Sequence, residues 1–403
     1  MNTDIRMIRW LTFMMFLMFA MTSDAVGSVI PIVIEQFRLS LTAASAFHYA
    51  PMTAIALGAI LFGYLADRLG RKRTIMLGLL VYGGSCLLFA VGSSFGQLVG
   101  LLAMSGVGIS IFKTGALALI GDISRSPDEH TSTMNTVEGF FGVGAIIGPA
   151  LVAVLLRAGL SWKWLYVIAA CMCLMLVSVA AFVRFPEQQR ASPGAITLRR
   201  TFRLMRNPYA LFFSILIMLY VAVEVAIYVW MPTYLQQYTG HPAWLPAYAL
   251  TVFFVLRASG RFMGVWLLRR FAWTRILGVF ATAIFICFAG SVAGGVAVGV
   301  WLLPLSGLFM SMMYPTLNSK GISCFDRSEH GAVAGVILFF TALAAAGGPL
   351  AMAAVSDAAG SVSYGFKLAT VFAGLLMLGL WWNGIADPAA QRLRARGADD
   401  RTT

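Results

Sequence analysis

The chain has 403 residues, 60% of them hydrophobic and only 11% charged, with a mean hydropathy of +0.83 and a formal net charge of +13. So little charge cannot cover the surface of a soluble protein of this size, which leaves a polytopic membrane protein. Its apolar segments are continuous runs of about 20 residues, so they are read as α-helical passages and exclude a transmembrane β-barrel, whose strands alternate.

Twelve runs qualify as passages, at 10–34, 44–66, 75–93, 97–120, 134–157, 163–183, 209–234, 245–268, 276–294, 298–322, 331–355 and 364–386. The first follows Arg6 and Arg9, as a signal peptide would, but the apolar run resumes past Ser23-Asp24 to Ile34 and reads as a full span. Between the second and third passages lies Gly63-Tyr64-Leu65-Ala66-Asp67-Arg68-Leu69-Gly70-Arg71-Lys72-Arg73. Its glycines let two helices approach closely, Asp67 can cap or pair at the membrane surface, and the cations hold the loop on the cytoplasmic side. Outer loops are very short. The one long connection, Arg184 to Pro208, is rich in Arg, Gln and Pro and reads as a cytoplasmic linker. The expected architecture is therefore all-α, with an N-terminal six-helix bundle over 1–183, a linker over 184–208, a C-terminal six-helix bundle over 209–386 and a cytoplasmic tail over 387–403.

The basicity follows the topology. With both ends inside, the outer side keeps only Arg38, Arg157, Lys163 and Lys367, and Lys113 and Arg257 lie within passages. The remainder of the 29 Lys and Arg fall on the inner side. That asymmetry obeys the positive-inside rule and removes the need for a nucleic-acid partner. The five cysteines sit in or at the ends of apolar runs, and Cys171-Met-Cys173 lacks metal-ligand spacing, so they read as small packing residues with no disulfide framework. The four histidines (His48, His130, His241, His330) are scattered, mostly in loops. No nucleophile–base or metal-ligand set emerges, so neither an enzyme nor a bound cofactor or metal is expected. The expected partners are a small solute, protons and the lipid bilayer, for a monomer in the cytoplasmic membrane.

The two halves repeat at an offset of about 200 residues, as transporter halves do. Asp24 with Pro31 corresponds to Glu224 with Pro232, and Gly63 to Gly264. Glu129-His130 matches Glu329-His330, and Gly148-Pro149 matches Gly348-Pro349. Matched halves imply a substrate site near the bilayer midplane, exposed alternately to each side.

An ionised side chain near the centre of a passage costs about 2.5–3.5 kcal/mol, so each one needs a reason. Five lie well inside passages: Asp24, Lys113, Glu138, Glu224 and Arg257. Two acid–base pairs would neutralise four and leave one carboxylate to bind and release a proton. The alternative is a static network that fixes helix packing, to which Glu138, about two turns into its helix, is best suited. Asp24, Glu224 and Glu138 are the candidates for proton coupling. Asp24, Lys113, Glu224, Arg257, Trp230 and Asn318 are the candidates for solute contact. Aromatic rings beside amides and carboxylates suit a polyol, which stacks on apolar faces and takes paired hydrogen bonds. His48 reads either as a proton-relay or ligand group or as a polar residue at the outer rim. Pro304, Pro315 and the two Gly-Pro pairs remove helix hydrogen bonds and invite kinks.

The 63–73 loop resembles the signature loop of the major facilitator superfamily, G-x-L-a-D-r-x-G-r-[RK]-x, with Gly63, Asp67, Arg68, Gly70 and Arg71 at its gating-motif positions. A narrower resemblance is to the fucose:proton symporter branch. It is carried by Ala222-Val223-Glu224 with Trp230 and Tyr234, by Gly260-Arg261-Phe262-Met263-Gly264, and by Phe309-Met310-Ser311 with Tyr314-Pro315-Thr316. The branch implies a hexose or 6-deoxyhexose carried with protons, with acids in the first and fourth passages serving coupling and recognition. Here Asp24 can stand for the first acid, but Lys113 stands where the branch has its second, and Arg257 is an added cation. A sugar:proton symporter is the expectation. A carrier of organic anions or sugar acids using Lys113 and Arg257 is its rival, with a drug:proton antiporter ranked below on Gly144-x-x-x-Gly148-Pro149.

Overall fold

A computed structural model of the chain describes residues 3–62, 65–123, 127–185, 204–268, 270–325 and 330–386, with 388–389 and 392–393. Every regular element among the described residues is an α-helix. The chain divides into two compact units, Met1–Ser192 and Pro193–Thr403. The first holds α1 (Thr3–Ser23), α2 (Val26–Phe37), α3 (Leu41–Ala44), α4 (Ala46–Phe62), α5 (Leu65–Arg68), α6 (Arg71–Leu88), α7 (Phe95–Ile123), α8 (Pro127–Arg157) and α9 (Trp164–Phe182). The second holds α10 (Pro208–Leu235), α11 (Leu245–Leu268), α12 (Trp273–Met310), α13 (Met313–Ser323), α14 (His330–Ala359) and α15 (Val362–Ala386). Of the expected linker, 186–203 lie outside the described residues, as does most of the tail.

Nine segments among the described residues are long and apolar enough to cross a membrane. Asp4–Phe37, 34 residues, runs through α1 and α2, and Trp273–Ser323, 51 residues, is twice the length one crossing needs. The long segment folds as two passages because Gly295 turns the chain with φ 65° and ψ −162°, a conformation a side chain would resist. Counting it twice and adding the shorter α4 and α6 agrees with the twelve passages expected.

The breaks in the helices follow from proline chemistry. Pro315 lacks an N–H, and its ring would collide with the carbonyl four residues earlier, that of Ser311. The helix stops there: α12 ends at Met310, and α13 restarts at Met313 with Pro315 in its tolerant first turn. The first passage breaks at Asp24-Ala25, ahead of Pro31 in α2, whereas α10, its counterpart, runs unbroken to Leu235 with Pro232 inside.

The internal repeat is also a repeat of packing. In the first unit α1 packs on α8 and α9, α4 on α7, and α6 on α7 and α9. In the second, α10 packs on α14 and α15, α11 on α12, and α12 on α15, which are the same pairings one half later. The Gly-Pro pairs lie at equivalent contacts. A Cβ on Gly148 of α8 would run into the Met21 carbonyl of α1, and one on Gly348 of α14 would sit 3.3 Å from Ala222 of α10. Glycine at these positions lets the helix backbones meet, the usual route to tight packing where lipid offers no hydrophobic drive. Rings close the far end of the first unit, with Phe89 stacked on Tyr166 at 4.1 Å and Trp162 edge-on to both. Such pairs contribute about 0.5–1.5 kcal/mol each beyond their burial.

Candidate functional site

Both units place charge inside, and each handles it differently. In the second, Glu224 projects from the middle of α10, where it is buried, and forms an ion pair with Arg257 of α11 through Oε1 and Nη2. The Tyr220 hydroxyl, one turn earlier on α10, lies 2.9 Å from the same Oε1 and 3.0 Å from the Met310 carbonyl. Met310 ends α12, where the break frees carbonyls from their helical partners. Tyr220 thus ties the acid to the broken helix with a single proton and two acceptors. The carboxylate is held by a guanidinium and a phenol together.

The first unit gathers the other three charges. Lys113 of α7 is half-buried, with its ammonium 5.2 Å from the Phe19 ring centroid and 5.8 Å from that of Phe16. Both rings belong to α1, so the cation rests on aromatic faces that attract it. Glu138 of α8 and Asp24 both act on it electrostatically. Asp24 occupies the turn between α1 and α2, where the Ser23 hydroxyl donates to its Oδ1 at 3.3 Å. Glu138 is exposed on α8. Of these five charges, Lys113 is set against two carboxylates and Arg257 against one.

The signature loop is partly in view. Gly63 lies outside the described residues, and Asp67 and Arg68 form the short α5. Gly70 adopts φ 84°, and the loop turns there into α6. Arg71, the first residue of α6, donates from Nε to Asp122 Oδ2 at 2.8 Å near the end of α7. Asp122 went unnoticed in the sequence. An acid at the same depth as the basic loop, one passage later, was the signal that could have found it. Lys72 bonds the carbonyls of Ala181 and Val183 at 2.8 and 2.9 Å, capping the C-terminus of α9 as a cation should.

The remaining solute-contact candidates are placed less suggestively. Trp230, expected to line a pocket, is buried inside the second unit and donates its indole N–H to the Pro349 carbonyl at 3.0 Å. It ties α10 to α14 and has no further donor to offer a ligand. Asn318 is half-buried on α13, one turn past Pro315. Tyr234, one turn past Trp230 on α10, bonds the Ser291 carbonyl at 3.0 Å. Gly144 and Gly148, the residues behind the antiporter alternative, serve the contact of α8 with α1. No cluster of His, Cys, Asp and Glu able to hold a metal occurs among the described residues.

The family description Major Facilitator Superfamily matches residues 12–349. A glucose/galactose transporter of Brucella abortus biovar 1 (strain 9-941) is 23% identical over 362 residues, covering 86% of this chain and 87% of its own. The L-fucose-proton symporter of Escherichia coli (strain K12) is 26% identical over 342 residues, with 74% and 75% covered. Among solved structures, a nucleoside transporter superimposes with a TM-score of 0.74 at 15% identity, covering 96% of this chain and 100% of that one.

Proposed function

This chain belongs to the major facilitator superfamily, and from that premise we propose that it carries a neutral hexose or deoxyhexose across the cytoplasmic membrane in symport with a proton. The observation that carries the reading is the pairing of charges. Arg257 is committed to Glu224, and Lys113 faces both Asp24 and Glu138. A carrier of organic anions needs a cation left over for the substrate. Here both of those cations are already set against carboxylates, which suits an uncharged polyol. The sugar class is supported further by two relatives along most of their length, one named for glucose and galactose and one for L-fucose.

Asp24 is the favoured proton carrier. It sits at a helix break, beside a cation shared with Glu138. Binding of solute on one side, protonation, and release of both on the other complete an alternating-access cycle. The test is thermal stabilisation of the purified protein by L-fucose, D-glucose, D-galactose and D-glucuronate at pH 6 and pH 8. A sugar present at 100 times its dissociation constant adds about 2.7 kcal/mol. Stabilisation by a neutral sugar, stronger at pH 6, is the expected result. Stabilisation by the glucuronate alone would overturn it and make Lys113 and Arg257 substrate ligands.

A further inference from the structure

The first unit contains a cavity that the transport reading leaves unused. It lies between α1, α4, α7 and α9, and its polar lining is Thr22, Ser23, His48, Ser105 and Tyr166. The space open to the centre of a water molecule is about 20 Å³, and about 10–15 Å³ is enough for one molecule. The Tyr166 hydroxyl is buried and has no hydrogen-bond partner among the described residues. A buried hydroxyl left so is costly, and water in the cavity it lines would satisfy it. Thr22 is held in place by Tyr82, 2.5 Å away, and Ser105 by the Leu102 carbonyl at 2.7 Å, so the wall is built and rigid.

His48 lines this space, and a second titratable group, Asp24, lies next in sequence to a residue of its wall. His48 is on α4, 1% exposed, near the end of that helix opposite the signature loop. Ser23 also lines the cavity, and its hydroxyl is bonded to Asp24. We propose that the cavity is a hydrated proton-loading chamber, in which His48 accepts a proton and passes it through cavity water to Asp24. This rests on the proton symport proposed above. In the transfer His48 gains one proton at a ring nitrogen and releases one to water, ending as it began. The net change is that the aqueous phase loses one proton and the Asp24 carboxylate becomes a carboxylic acid.

Imidazole is suited to this step because it changes charge within the physiological pH range, and the other ionisable groups nearby do not compete for the role. Lys113 of α7, one turn beyond Ile109 of the cavity wall, acts on Asp24 and Glu138 of α8. Tyr82 of α6 is engaged with Thr22, Glu35 of α2 is exposed, α3 has no titratable side chain, and Tyr49 neighbours His48 on α4. Tyr166, on α9, serves as a positioning residue for the water.

Two measurements test the chamber. The first needs no solute: ring resonances of isotopically labelled histidine are followed from pH 5 to pH 9, with His48 identified by its loss in His48→Gln. The expected result is a reversible titration whose midpoint moves in Asp24→Asn. A resonance that does not titrate, or is indifferent to Asp24, overturns the proposal. The second is uptake of L-fucose, D-glucose and D-galactose into proteoliposomes, driven by a pH gradient or by counterflow. His48→Gln should lower gradient-driven accumulation by about tenfold or more, the scale of a lost proton-transfer group, with counterflow unchanged. Equal loss of both modes would make His48 a packing residue and overturn the chamber. Full accumulation in His48→Gln, with loss in Asp24→Asn, would also overturn it while leaving proton symport standing. Full accumulation in both variants would sink the symport reading as well. If His48→Gln does not fold, Tyr166→Phe decides: slower gradient-driven uptake supports the chamber, and wild-type uptake rejects it.

Discussion

At the residue scale, the pair of Glu224 and Arg257 sets the energetics of the second unit. Both side chains are largely withdrawn from water, 9% and 20% exposed. Removing one partner strands the other, at a cost of about 3–5 kcal/mol for a buried pair. Arg257→Gln should therefore melt well below wild type in detergent, and Glu224→Gln with Arg257→Gln together should recover most of the loss. A double variant no more stable than the singles would refute the coupling. That these residues needed partners was legible from their cost in a membrane, but who partners whom was not. The few polar residues of α10 and α11 do not say which helix each faces, and a carboxylate on one helix looks alike to every cation. Asp122 escaped notice for the same reason: its partner Arg71 sits 51 positions away and is named only by the fold.

At the element scale, the contacts between helices are made by glycines and by side chains that reach backbone carbonyls. Gly148→Val would push α8 off α1 and should lower stability by about 1–3 kcal/mol or more, the cost of overpacking. Gly139, on the same helix, has open space where its Cβ would be. Gly139→Ala should therefore be neutral or gain up to about 1 kcal/mol from helix propensity. Thermal melts of the two variants side by side check both. Trp230→Phe removes the bond to the Pro349 carbonyl, which keeps its helical partner, for a loss of about 0.5–1.5 kcal/mol. The same melts would show it, and sugar affinity measured alongside should change little if Trp230 is a tie between helices. The sequence marked Trp230 as an aromatic beside an acid. Its inward direction was hidden because α10 is apolar on all sides, and periodicity then carries no orientation.

At the scale of the whole molecule, twelve passages in two repeated sets were readable from composition and run length, because a bilayer demands continuous apolar helices of fixed minimum length. The repeat of Gly-Pro pairs and acids announced the repeat of packing. The breaks were readable only in part. Pro304 and Pro315 both invited kinks, but the helix breaks only ahead of Pro315, and the Asp24-Ala25 turn occurs in α1–α2 and not in α10, although both passages carry a proline. The distribution of Lys and Arg makes a further prediction: both termini face the cytoplasm. A fluorescent reporter that matures only inside the cell, fused after Thr403, should glow, and alkaline phosphatase at the same point should be inactive. The reverse pattern would overturn the assigned orientation.

The ion pair in the second unit also bears on biosynthesis. Of the nine membrane-length segments, the one carrying Arg257 is the least apolar. Arriving alone at the translocon, it would carry a penalty of about 2.5–3.5 kcal/mol for the guanidinium. It never arrives alone, because Glu224 precedes it by one short loop and is already waiting when Arg257 emerges. The two helices are then expected to enter the lipid as a hairpin with that guanidinium offset. Order of synthesis, added to its own hydrophobicity, is then expected to help place α11 in the membrane.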